Sequence, residues 1–168
     1  MKKVMLSMLV VAGLSTAFVS CKEEEPVAPR EAGTATISGV VEADLETLGD
    51  TLDNGTYMQM LENVPSGTMI YFTYNTGDLD PDAQAGYNYD EITLSTEVGS
   101  DGSYEIEVPA VATGVDYTVT FADFAYDQSI VDPNDPNETV TERVVFTHPD
   151  DFVTVHENST IINDYVYN

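Results

Sequence analysis

The chain has 168 residues, with 30 Asp and Glu against 5 Lys and Arg, a formal net charge of −25 and one cysteine. That charge repels polyanions and leaves no stripe of Lys and Arg, so nucleic acid is excluded as a partner and direct docking on anionic head groups is disfavoured. One thiol allows neither an intrachain disulfide nor a thiolate metal cluster, so stability has to come from packing, which a chain of this size can supply from one core.

Met1-Lys2-Lys3 is a short basic start, and residues 4–19 form an apolar run broken only by small or hydroxyl side chains. The run is shorter than the roughly 18 residues of a spanning helix, which marks it as a cleaved signal. It ends in Phe18-Val19-Ser20-Cys21. This pattern resembles a bacterial lipoprotein signal with its lipobox, in which a small residue precedes the cysteine that becomes the mature N-terminus. Phe18 departs from the usual leucine. The resemblance implies a diacylglycerol and an N-acyl chain on Cys21, enough lipid to tether an otherwise soluble domain stably. Lys22, where aspartate would signal inner-membrane retention, implies an outer-membrane destination. Lys22-Glu23-Glu24-Glu25 resembles the signal by which some Gram-negative bacteria display lipoproteins on the cell surface. The expected organisation is a signal peptide over residues 1–20, a lipidated, Pro- and Ala-rich tether over 21–33 and a β domain over 34–168.

From Thr34 onward Thr, Val, Ile, Tyr and Phe alternate with polar residues in short runs broken by Gly, Pro, Asn and Asp. Ile37, Gly39, Val41 and Ala43 mark a first strand. Residues 45–63 fit a loop, a hairpin about Asn54-Gly55 or an edge strand. Residues 69–74 are apolar on both faces and predict a central strand. Ile92, Leu94, Thr96 and Val98, the turn Ser100-Asp101-Gly102, and Tyr104, Ile106 and Val108 predict a hairpin with acids outside. Tyr117, Val119 and Phe121 continue in the same phase. Residues 140–146 and 152–156 predict a second hairpin around Pro149-Asp150-Asp151, and residues 161–167 a terminal strand. The expected fold is all-β, a single antiparallel β-sandwich of about seven to eight strands.

Ile37-Ser38-Gly39-Val40-Val41, Val64-Pro65-Ser66-Gly67-Thr68-Met69-Ile70, Gly99-Ser100-Asp101-Gly102-Ser103-Tyr104-Glu105-Ile106, Val108-Pro109-Ala110 and Tyr117-Thr118-Val119-Thr120-Phe121 together resemble carboxypeptidase-regulatory-like or transthyretin (prealbumin)-like sandwich modules, over about residues 34–126. Residues 45–63 and the acidic loop 75–90 depart from that pattern. The resemblance implies an interaction or stabilising unit without catalysis.

Asp78, Asp80 and Asp82 alternate, with Asp90 and Glu91 closing the same loop, a supply of hard oxygens suited to calcium. An EF-hand is excluded, because Ala83 and Tyr89 stand where glycine and a bidentate glutamate are required. The competing expectation is a solvated acidic loop. Residues 132–138 are a second oxygen-rich stretch that also reads as a bare turn. Tyr87 and Tyr89, with Tyr71, Tyr74 and Tyr126 near them, would form a stacking platform for a glycan. His148 and His156 have no evident third ligand partner, so zinc is not expected. Asp50-Thr51-Leu52 resembles the acceptor tripeptide of a bacterial O-glycosylation system, with Thr51 as acceptor. Nucleophile elbows and phosphate-cradling glycine loops are missing, and no enzyme and no cofactor other than calcium is expected.

The expected function is a lipid-anchored, surface-exposed outer-membrane protein acting as a non-catalytic binding or accessory module. Its partners would be the membrane, through Cys21, and a glycan or an envelope or host protein. Alternatives are a pilus- or assembly-type subunit that offers residues 161–167 to a neighbour's sheet edge, and a calcium-dependent glycan binder.

Overall fold

The computed structural model describes residues 32–46, 48 and 58–168. The signal peptide, Cys21, Thr51 and the Asn54-Gly55 turn therefore lie outside the described residues. The described residues are all-β, with no α-helix.

The strand β1 (Gly33–Ala43) is the hub of the first sheet. Along one edge it pairs antiparallel with β5 (Ser103–Ala110), from Gly33↔Ala110 to Val40↔Ser103, and then with the short β2 (Glu62–Asn63). Along its other edge it pairs parallel with β10 (Thr160–Ile162) and β11 (Tyr165–Tyr167). The second sheet is antiparallel in the order β4 (Glu91–Glu97), β3 (Met69–Asn75), β6 (Val115–Phe121), β9 (Asp151–Val155). The two sheets enclose one core, in which Ile37, Val41, Ile70, Phe72, Val108, Val119 and Val155 are fully buried. Each such side chain is worth about 1.5–3 kcal/mol of transfer free energy. A long hairpin of β7 (Phe124–Asp132) and β8 (Asp135–Phe146) follows β6, and its base stacks Phe124 on Phe146 at 5.1 Å against the core.

The alternation read from the sequence places faces correctly. Ala35, Ile37, Val41 and Ala43 of β1 point inward, as do Tyr104, Val108 and Ala110 of β5 and Tyr117 and Val119 of β6. The central position of residues 69–74 holds, since β3 lies between β4 and β6. Its second face is half-buried, so the buried Ile70, Phe72 and Tyr74 alternate with the half-buried Met69, Tyr71 and Thr73.

Partners differ from expectation in three places. Residues 92–98 and 103–108 do not form a hairpin. The tight turn is present, with Gly99 accepting from Gly102 and Ser103 accepting from Gly99, but β4 then pairs with β3 and β5 with β1. The segment is an arch between sheets, since alternation specifies the buried face and not the neighbour. Residues 140–146 do not pair with 152–156 either. They belong to β8, whose partner is β7, while β9 extends the second sheet beside β6. Finally, residues 161–167 run parallel to β1 of their own chain, so the sandwich is antiparallel except at this strand, and the strand that the pilus-type alternative would offer to a neighbour is bonded to β1.

Candidate functional site

Tyrosine hydroxyls in the core are tied to backbone carbonyls. Tyr104 donates to Asn163 O at 2.9 Å, Tyr117 to Pro109 O at 2.6 Å and Tyr167 to Ala122 O at 2.9 Å. Burial raises the ionisation of all three phenols, reinforced by the neighbouring Asp123 at Tyr167, which is pushed up to about 12. These groups link one element to the next and face no solvent.

The acidic loop is ordered by its own short-range bonds. Asn75 caps a 3-10 helix at Thr76–Leu79 by accepting from the Gly77 N–H at 2.9 Å, and Asp80 Oδ1 accepts from the Asp82 N–H at 2.9 Å. The loop closes through Thr76 N–H to Asp90 O at 2.8 Å. Asp80 thus spends an oxygen on an Asx turn. Among the described residues no three Asp, Glu or His side chains are grouped to hold a metal. Asp78, Asp80, Asp82 and Asp90 share a loop without forming a coordination cluster. In the second oxygen-rich stretch Asp132 Oδ1 accepts from Asn134 N–H at 2.7 Å and Asp135 Oδ1 from Asn137 N–H at 3.0 Å, which are turn contacts at the tip of the β7–β8 hairpin.

The tyrosines expected to gather do not. Tyr74 is buried against Tyr117 at 5.2 Å, Tyr126 donates to Glu46 at 3.3 Å, and Tyr71 lies on the outward face of β3 between Ser95 and Thr120. Tyr87 and Tyr89 do meet, edge to face, with ring centroids 5.0 Å apart. Tyr89 is committed to the loop: its hydroxyl accepts from the Gln84 N–H at 2.9 Å, and its ring sits where any side chain on Gly77 would stand. Tyr87 alone of the pair is broadly exposed, at 69%. His148 packs on Phe121 at 4.2 Å beside Tyr165 and Tyr167, and His156 contacts Ala112 O, so the two imidazoles are spent separately.

A surface the residue pattern did not single out is the outward face of the second sheet. Register puts Thr93, Thr73, Thr118 and Phe152 in one row across four strands, and Ser95, Tyr71 and Thr120 in the next. The Thr73 and Thr93 hydroxyls are 2.8 Å apart, and Thr154 donates to Asp116 at 2.6 Å at one margin. Phe152 is 74% exposed. The available signal was the set of outward-phase Thr residues on three different strands, which only the pairing order brings together. Where β4 of the second sheet meets β1 and β5 of the first, an open cleft of about 430 Å³ is bordered by Gly39, Thr96, Tyr104 and the carboxylates Glu97, Glu105 and Asp164.

No family model matches the chain, and no curated protein matches it significantly. Among solved structures the chain matches one from Pseudomonas aeruginosa described as a "putative carbohydrate binding protein", at 14% identity over 82% of this chain and 92% of that one, with a TM-score of 0.36. A likeness at that level assigns no ligand to this chain.

Proposed function

We propose that this chain is a lipid-anchored protein of the bacterial cell envelope, tethered through Cys21 and displayed at the outer membrane, whose β-sandwich is a non-catalytic binding or accessory module. The observation that carries the reading is the order of parts along the chain. The run Phe18-Val19-Ser20-Cys21, which resembles a lipobox, ends at Cys21, and the first described strand of the sandwich starts at Gly33. The dozen or so residues between them, at up to about 3.5 Å each, give a tether that holds the domain near a membrane without burying it. The interior supports the same reading, because the core tyrosines are consumed in packing and the broad sheet faces are left to meet a partner. The pilus-subunit alternative is less well supported, since the strand it would donate is bonded to β1.

The test is metabolic labelling with a palmitate analogue followed by protease shaving of intact cells, comparing the native chain with Cys21→Ser and with Glu23, Glu24 and Glu25 changed to Ala. Label on the native chain and none on Cys21→Ser is the expected result. Shaving should remove the native domain and spare the triple-Ala variant. An unlabelled native chain released to the medium would overturn the anchor.

A further inference from the structure

We propose that the outward face of the β4-β3-β6-β9 sheet is a binding surface for an uncharged, hydroxyl-rich glycan chain, with a sugar ring stacked on Phe152 and its hydroxyls exchanging hydrogen bonds with Thr118, Thr73 and Thr93. The inference rests on reading the domain as a binding module and adds which face binds and what class of ligand it takes.

Charge carries the choice of ligand. In a chain of net charge −25, the middle of this face carries none: Thr73, Thr93, Ser95, Tyr71, Thr118 and Thr120 are neutral, and the acids Glu91, Glu97 and Asp116 stand at its margins. The outward face of the first sheet is different, with Glu105 and Glu107 on β5, Glu42 on β1 and Asp164 beside them. A basic protein would be drawn to that second surface. An anionic polymer or head-group layer would be repelled by the whole molecule. A second copy would bring two strongly anionic domains together over a face whose one large exposed hydrophobic is Phe152, too little apolar area to hold a dimer against that repulsion. A neutral polymer that presents hydroxyls and the apolar face of a ring meets none of these objections.

Geometry agrees with an extended chain lying across the strands. Neighbouring strands are about 4.8 Å apart, so the row Thr93, Thr73, Thr118, Phe152 offers a side chain at each step, close to the advance of one pyranose along an extended β-linked glycan. Each threonine hydroxyl both donates and accepts, as each sugar hydroxyl does. The β-branched side chains are stiff, so little rotamer freedom is lost on contact. Phe152 ends the row on the edge strand β9, where a ring can stack on it without displacing protein.

The experiment uses the full mature chain on an array of neutral glycans, followed by affinity electrophoresis in gels containing hydroxyethylcellulose, laminarin or yeast mannan, with polygalacturonate as the anionic control. Retardation by at least one neutral polymer and none by polygalacturonate is expected. Phe152→Ala should weaken it at least tenfold, and Thr118→Val, which keeps shape and removes the hydroxyl, about threefold. Circular dichroism and urea midpoints confirm that the variants fold. Absence of signal from every neutral glycan overturns the proposal. So does binding that survives Phe152→Ala and is lost in Tyr87→Ala, which would move the ligand to the acidic loop. If no glycan binds but cross-linking on cells captures a specific envelope protein, this inference fails and the binding-module reading stands. If the native domain yields neither glycan nor protein partner, both fail.

Discussion

Val40 donates its backbone N–H to Oδ1 of Asp164 at 2.9 Å, so a carboxylate fills the place in the β1 ladder where the parallel strand would otherwise offer a main-chain carbonyl. The C-terminal strand is broken only there. Ser38 pairs with Ile162 and Val41 with Tyr165, so the register is the same on both sides of Asn163 and Asp164. Asn163 is drawn over Gly39, donating its N–H to Ser38 O at 2.8 Å and accepting from the Tyr104 hydroxyl at 2.9 Å. A side chain at Gly39 would overlap the Asn163 carbonyl oxygen.

Gly39→Ala should therefore destabilise the domain by about 2 kcal/mol or more, because the obstacle is backbone and the strand must shift to admit a methyl group. Asp164→Ala should cost about 1 kcal/mol, the value of one exchanged hydrogen bond. Urea midpoints of the two variants test this, and a Gly39→Ala midpoint equal to that of the native chain would contradict the close approach.

Alkaline pH should unfold the domain early. Burial raises the ionisation of Tyr104, Tyr117, Tyr165 and Tyr167 above the usual value near 10, to about 12 at Tyr167. Between those values the folded state holds protons that the unfolded state has lost, so stability falls with pH in that window. Below about pH 9 both states are protonated and these groups add no pH dependence. Unfolding free energy measured from pH 8 to pH 11 should be level and then decline, and Tyr167→Phe should make the decline shallower. A level profile to pH 11 would refute it.

Salt, more than calcium, should govern thermal stability. The excess of acid is large, and the Arg143–Asp127 pair at 3.0 Å is exposed on both sides, so it offsets little of the repulsion. Screening shortens the range of that repulsion to about 10 Å at 0.1 M salt. The melting temperature should rise by several degrees between 10 mM and 500 mM sodium chloride, on the order of 1 kcal/mol for a domain of this size. Calcium and magnesium chloride at equal ionic strength should act alike. A rise specific to calcium, lost when Asp78, Asp80 and Asp82 become Asn, would place a calcium site in the loop.

Faces were legible in the sequence because a period of two is local, and partners were not because pairing is not. Ile92 to Val98 and Tyr104 to Val108 carry the alternation of a hairpin, yet the same alternation serves an arch when β3 and β1 offer longer ladders. Phe124–Asp132 has no clean alternation and was not visible as a strand. Its burial shows why: Phe124, Ala125 and Tyr126 are all partly covered, and the buried position farther along is the polar Gln128, which donates to Asp44 O at 2.8 Å. Pro136 and the Asx residues around it read as loop, but the turn itself is Pro133-Asn134, and the register shift next to Asp132 admits the proline. At the candidate site, Thr73, Thr118 and Phe152 come from three strands, and nothing in their spacing reveals a shared row. In the acidic loop, Asp78, Asp80 and Asp82 alternate in sequence, while the Asx turn that occupies an oxygen of Asp80 is visible only in the structure.

The hub strand also sets when the domain can fold. β1 leaves the ribosome first among the described strands, but its parallel neighbours are residues 160–167, and Thr36 must wait for Thr160. Closing a loop of that length is entropically slow, and a topology built on it has a high contact order. A nascent chain therefore lacks one edge of its first sheet until residues 160–167 are made, while β3, β4, β6 and β9 can pair without them. Loss of residues 160–167 should therefore open one whole edge of β1, a larger defect than loss of any strand at a sheet margin.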